Sequence, residues 1–173
     1  RGVTIAISHN KKEHVIKMND PLVQNEHSEE VKHLGGPSID YGEVVLTFDH
    51  ENPMGEIIDP ATNEPAQCRI QFRRLSVETV RTALGLPLVG SVGDTQKMAR
   101  WGISPKKQGF SVMRNGREIR DGETLGVFTH HHEYNYFRAE VGFTEALDDL
   151  FNVRTNKSRF SIDNEFRKYL KEQ

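Results

Sequence analysis

Cysteine is almost missing from this chain: Cys68 is the only one in 173 residues. A single thiol excludes an intramolecular disulfide and leans towards a reducing compartment. Its alternation with Ile70 and Phe72 reads as a small buried strand residue. Long apolar runs are also missing. No stretch approaches the roughly 20 residues that a membrane-spanning helix needs, and Arg1-Gly2-Val3-Thr4-Ile5 does not have the layout of a secretory signal. A soluble cytoplasmic protein with no membrane partner is the expectation. Charge of one sign is not in excess either, since 23 Lys and Arg face 25 Asp and Glu for a formal −2. Net charge therefore gives no reason to infer nucleic acid. Internal repeats, coiled-coil heptads and low-complexity tracts are absent. The chain begins without Met and runs directly into a strand pattern, which reads as a segment of something longer.

Several kinds of catalytic machinery are lacking as well. Gly90, Gly93 and Lys97 suggest a phosphate loop, but no Gly-Lys-Ser/Thr ending follows to set a lysine and a magnesium-binding hydroxyl on one phosphate. There is no dinucleotide fingerprint and no Gly-x-Ser-x-Gly elbow. Asp148 and Asp149 read as the exposed face of a helix. The run His130-His131-His132-Glu133 carries zinc-type donors, yet neighbours on an extended chain point to opposite sides. No matching His or Cys pair stands elsewhere, so the run is read as a polar surface loop and no metal is expected.

What is present is a strand-rich pattern. Val3, Ile5 and Ile7 alternate with smaller or polar residues. Residues 9–42 read as a long polar surface excursion. Residues 43–50 place Val44, Leu46 and Phe48 on one face, and residues 67–74 repeat the alternation through Cys68, Ile70 and Phe72. Ser76 then caps a helix through Val77, Val80 and Leu84 to Gly85. Asn115-Gly116 inside "FSVMRNGREI" is a type I′ hairpin signal, because both positions tolerate positive φ. Residues 136–143 alternate again. Thr144 starts a helix burying Leu147, Leu150 and Phe151 that ends at Asn152, and Ser161 caps a last helix carrying Ile162, Phe166 and Leu170. The pattern predicts an α+β class, a mixed β-sheet with helices packed mainly on one face. It divides into residues 1–160, with the polar insertion near 9–42, and a C-terminal helix over 161–173.

Basic residues gather moderately in Lys97, Arg100, Lys106, Lys107, Arg114, Arg117 and Arg120, with Trp101 and Phe110 among them. Phosphate contacts need such cations and rings offer stacking, so a nucleic-acid or protein-binding face on this hairpin is the alternative reading. A solvated sheet face is the plainer one.

Two segments carry a resemblance. "QGFSVMRNGREI" at 108–119 and "YFRAEVGFTEALDDLFNVRTNK" at 136–157 resemble the part just after the ATP-binding domain in bacterial ATPases of the gyrase, heat-shock chaperone, histidine kinase and MutL (GHKL) superfamily. Those relatives carry a similar Gln-Gly hairpin, a strand, a "Leu-Asp-Glu-Leu-Phe-Gly-Val" helix and an Asn-Asn-Lys loop. "NDPL" at 19–22 and "YGE" at 41–43 also look like that family. The resemblance implies a transducer domain similar to the second domain of ribosomal protein S5, set against a Bergerat-fold ATP-binding domain of the same chain, with ATP and Mg in the parent protein and dimerisation of the parent. It implies that Lys157 reaches the terminal phosphate of ATP, as the catalytic and nucleotide-binding lysine, with Asn156 beside it. Thr155 and Ser158 depart from the family's usual Asn and Gln. The Glu-x-x-x-Asn and Asp-x-Gly-x-Gly motifs of the ATP-binding domain are missing, so the segment by itself is expected neither to bind ATP tightly nor to hydrolyse it.

Overall fold

The computed structural model describes residues 5–9, 12–16, 20–88, 95–153 and 161–172. Its centre is a five-stranded sheet formed by β3 (Ile39–Thr47), β6 (Gln67–Arg74), β7 (Phe110–Arg114), β8 (Arg117–Glu123) and β9 (Phe137–Phe143), in the order β3-β6-β9-β7-β8. All neighbours run antiparallel except β7 and β9, which are parallel from Phe110 opposite Ala139 to Arg114 opposite Phe143. The sheet is therefore mixed and the class α+β, as the pattern predicts. Two short antiparallel pairs stand apart from it: β1 (Ile5–His9) with β2 (Lys12–Ile16), and β4 (Ile58–Asp59) with β5 (Glu64–Pro65).

Alternation decides which face is buried. Leu46, Cys68, Ile70, Phe110, Val112, Ala139, Val141 and Phe143 turn to one side and pack with Leu147, Phe151, Ile162 and Phe166 in the main core. Burial pushes the Cys68 thiol up to about 12, so it stays an inert apolar filler. The helix α4 (Asn164–Glu172) joins this core through Phe166, whose ring meets Phe151 at 5.2 Å and Phe48 at 5.9 Å. On the opposite face lie Arg69, Gln71, Arg73, Arg138, Glu140, Ser111 and Glu118, interleaved with the core residues along the same strands.

A second, smaller cluster sits where β6 leaves the sheet and β9 enters it. Val23, Val31, Leu34, Leu75, Val80, Ile103 and Tyr136 pack together there. It is built by α1 (Glu29–Leu34), α2 (Val77–Ala83) and the C-terminal end of α3 (Thr95–Arg100). The Ser76 hydroxyl accepts from Thr79 N, the predicted cap of α2. At Gly35, with φ +83°, an added Cβ would meet Ala83 and Thr79 of α2 at 3.0 and 3.1 Å, so glycine here sets the contact between the two helices.

Three local expectations are corrected. The stretch 9–42 is not only a surface excursion: it holds β2, α1 capped by the Ser28 hydroxyl, and the first residues of β3, with Leu22, Val23 and Leu34 almost fully buried. Elements of five or six residues carry too few apolar positions to show a period. After Thr144 there is only a 3-10 turn, Glu145–Leu147, followed by turns; the Thr144 side chain is turned to Asp59, to which its hydroxyl donates at 2.6 Å, and it accepts no capping hydrogen bond from the turn. The last helix is capped by Asp163, whose carboxylate accepts from Glu165 N and Phe166 N, and not by Ser161.

Candidate functional site

Asn115 and Gly116 take φ of +50° and +71°, and the hairpin closes as their types require. That turn is tied to the chain following β9. Asn115 N donates to Phe143 O at 2.8 Å, and its side-chain amide donates to Glu145. Arg114 shares the parity of Phe110 and Val112, so its guanidinium emerges on the core side, where it needs a partner. It finds Asp148, to which Nε and Nη2 each donate at 2.7 Å. The fork matches both carboxylate oxygens at once and holds the guanidinium more firmly protonated than usual, chiefly through these bonds. Asp148 is thus a structural partner and not a solubilising residue.

Behind this clamp the rings of Phe143 and Phe151 stack at 3.8 Å with a 2° tilt, both in the core. Asn152 takes φ +47°, the left-handed conformation its type allows at the end of the turn. Val153 N donates to Asp148 O at 2.9 Å and Asp163 N to Leu150 O at 2.8 Å. Both flanks of residues 154–160 are thereby fastened to the same turn. Asn156 and Lys157 fall in that stretch and lie outside the described residues. Thr144 contributes a further tie: its hydroxyl, with Ala61 N, stabilises the charged form of Asp59 and lowers that carboxyl's pKa.

The basic residues singled out from the sequence are not brought into one stripe. Arg114 and Arg117 flank the hairpin turn at one end of the sheet, while Lys106 and Lys107 occupy a 3-10 turn that precedes β7 at the other. Lys107 pairs with Asp121 and Arg114 with Asp148. Phe110 is buried beside Phe72, Phe128 and Phe137, and Trp101 stacks on His33 at 4.1 Å with Arg100 over its ring.

Two charged features of the opposite sheet face went unseen in the sequence. Arg138 is buried and spends its donors on the carbonyls of Gly102, Asn135 and Phe137, and burial lowers its pKa to about 10. Glu140 is pushed up, first by burial and then by Glu118, which accepts from the Ser111 hydroxyl at 2.9 Å. Gln108, neutral and just ahead of β7, also went unseen. It is wholly buried, and its amide engages the segment that leads into β9. Parity along β7 signals the Arg114 clamp, whereas no periodic pattern marks Gln108.

Among the described residues no helix is long and apolar enough to cross a membrane. Compared with protein-family models, curated proteins and solved structures, the chain matches none.

Proposed function

We propose that this chain is the coupling, transducer-type module of a GHKL-type ATPase, an S5-domain-2-like unit acting against a Bergerat-fold ATP-binding domain of the same protein. One observation carries the reading: the two segments that resemble that superfamily form a single unit, with β7 in parallel register beside β9 and Arg114 gripping Asp148. Residues distant in the chain share one fastened corner, and Val153 and Asp163, on either side of the stretch containing Lys157, are hydrogen-bonded to it.

In this reading ATP and Mg are held by the preceding domain, and the residues of this chain supply a sensor. The Lys157 ammonium meets the terminal phosphate and stabilises its charge by charge-assisted hydrogen bonds, with Asn156 donating alongside. The contact lasts only while that phosphate is present, so nucleotide state sets the orientation of the sheet against its neighbour. A cytoplasmic location and ATP-driven dimerisation of the parent accompany the reading by analogy.

The test is ATP turnover by the parent protein carrying Lys157→Ala, in a variant that remains folded and still binds nucleotide. The expected result is a fall of about tenfold, equivalent to ~1.4 kcal/mol in the barrier. Unchanged turnover would remove Lys157 from the mechanism.

A further inference from the structure

We propose that the turn His131–Glu133 is a binding site for a late first-row divalent cation of the zinc class, held by the imidazoles of His131 and His132 and the carboxylate of Glu133. Neighbouring residues on an extended strand diverge, but this segment is not extended throughout. His131 is extended, with φ −145° and ψ 146°, while His132 opens the 3-10 turn His132–Tyr136. The change of direction folds the three side chains together, and one ligand atom from each lies within 4.8 Å of the others. Among the described residues no other set of three such groups converges in this way.

The donors gather on one turn, close enough to share a cation. The Nδ1 atom of His131 accepts from the Glu133 N–H at 3.4 Å, a long contact that a cation at Nδ1 would replace. The Glu133 carboxylate oxygen lies 3.6 Å from that same nitrogen. A positive charge between these atoms, a ring proton or a bound cation, makes that approach attractive. The spacing also suits coordination, because a tetrahedral zinc with bonds of 2.0–2.2 Å sets its ligand atoms about 3.4 Å apart. The His131 and His132 rings lie 4.1 Å apart at a 43° angle, and both side chains are exposed, so small rotations would bring the ligand atoms to coordination distance. Two imidazoles and one carboxylate leave at least one coordination position for water.

The backbone beneath the turn is fixed in advance. The Gln108 amide donates to His131 O at 2.6 Å and to the Asn135 side-chain oxygen at 2.5 Å, and its oxygen accepts from His131 N at 3.0 Å. His130 lies 3.3 Å from that oxygen and its ring meets Phe128, which leaves it outside the convergent set. A buried side chain that spends its polar atoms on one exposed turn holds the donors' backbone in place before any ion arrives, as supports around metal ligands do.

The experiment uses the untagged, metal-stripped chain, titrated with Co²⁺ and followed by visible absorption, with Zn²⁺ affinity measured by competition against a chromophoric chelator. One equivalent of Zn²⁺ is expected to bind, and Co²⁺ to give ligand-field bands that Zn²⁺ abolishes. His131→Ala, His132→Ala and Glu133→Gln should each weaken Zn²⁺ binding by about tenfold or more. His50→Ala, which removes an exposed imidazole 3.8 Å from a single carboxylate, Glu51, should change nothing. All of these positions are exposed, and far-UV circular dichroism of each variant verifies the fold. Absence of saturable uptake overturns the proposal, as does undiminished uptake by the His131→Ala/His132→Ala double variant.

Discussion

At the end of the sheet where β7 turns into β8, a forked ion pair and stacked rings fasten the chain. At the opposite end, where β6 leaves and β9 begins, three short helices and buried polar side chains hold it. The first end uses Arg114 on Asp148, Asn115 on Phe143 and Glu145, and Phe143 on Phe151. The Arg114 and Asn115 contacts join segments some 30 residues apart, while the Phe143–Phe151 stack joins β9 to the turns that follow it, so this corner is set mainly by long-range partners. The second end relies on helices of six or seven residues, two of them capped by serine, on Arg138 feeding three carbonyls, and on Gln108. Helices so short are not stable alone and depend on the small cluster between them. The difference teaches that a rigid corner can be built from a handful of side chains when they bridge strands, whereas local helices need a core of their own.

The largest effect is expected from emptying the rigid corner. Phe151→Ala removes a fully buried ring that touches both Phe143 and Phe166, and should cost about 3–5 kcal/mol in urea unfolding. A loss below about 1 kcal/mol would mean that the stack does not hold this corner. A smaller loss is expected at the other end. Gln108→Ala leaves the His131 carbonyl and the Asn135 side chain without their donor, for about 1–3 kcal/mol, with faster amide exchange confined to residues 130–136 if the comparison is right. Exchange that quickens equally in β7 and β8 would show the two ends to be one unit.

The smallest effect depends on pH. The Thr144 hydroxyl lowers the Asp59 pKa from its ordinary 3.8. A carboxyl depressed in the fold contributes stability above its unfolded value and loses that contribution as the pH falls through the folded one. Thr144→Val should therefore be less stable than the parent at neutral pH. The gap should narrow as the pH drops below about 3.8. A gap of the same size at pH 2 and pH 7 would assign the loss to packing instead.

Much of the sheet was legible because its strands are long enough to alternate. Residues 67–74 gave β6 with its observed bounds, and Asn115-Gly116 placed the hairpin to the residue. The cap at Ser76 followed from its type and position. Short elements within 9–42 were not legible, and neither was the single turn after Thr144, whose hydroxyl is taken by a residue 85 positions away. Strand order is likewise a property of distant pairings that no local window contains. For the candidate site, segments 108–119 and 136–157 stood out in the sequence, and the hairpin turn within the first was legible. The Arg114–Asp148 clamp that joins them was half written in the parity of β7, while Lys157 and Asn156 lie outside the described residues.

The strand order has a consequence for synthesis. β9 is the middle strand of five and the last of them in the chain. As the polypeptide leaves the ribosome, β6 and the β7–β8 hairpin are complete while the slot between them is still vacant. Two inner edges then stand bare until residues 137–143 emerge, and bare edges of apolar strands are what neighbouring nascent chains and chaperones capture. Codon usage that slows translation just before β9 should lower the soluble yield of this protein more than the same delay placed after it.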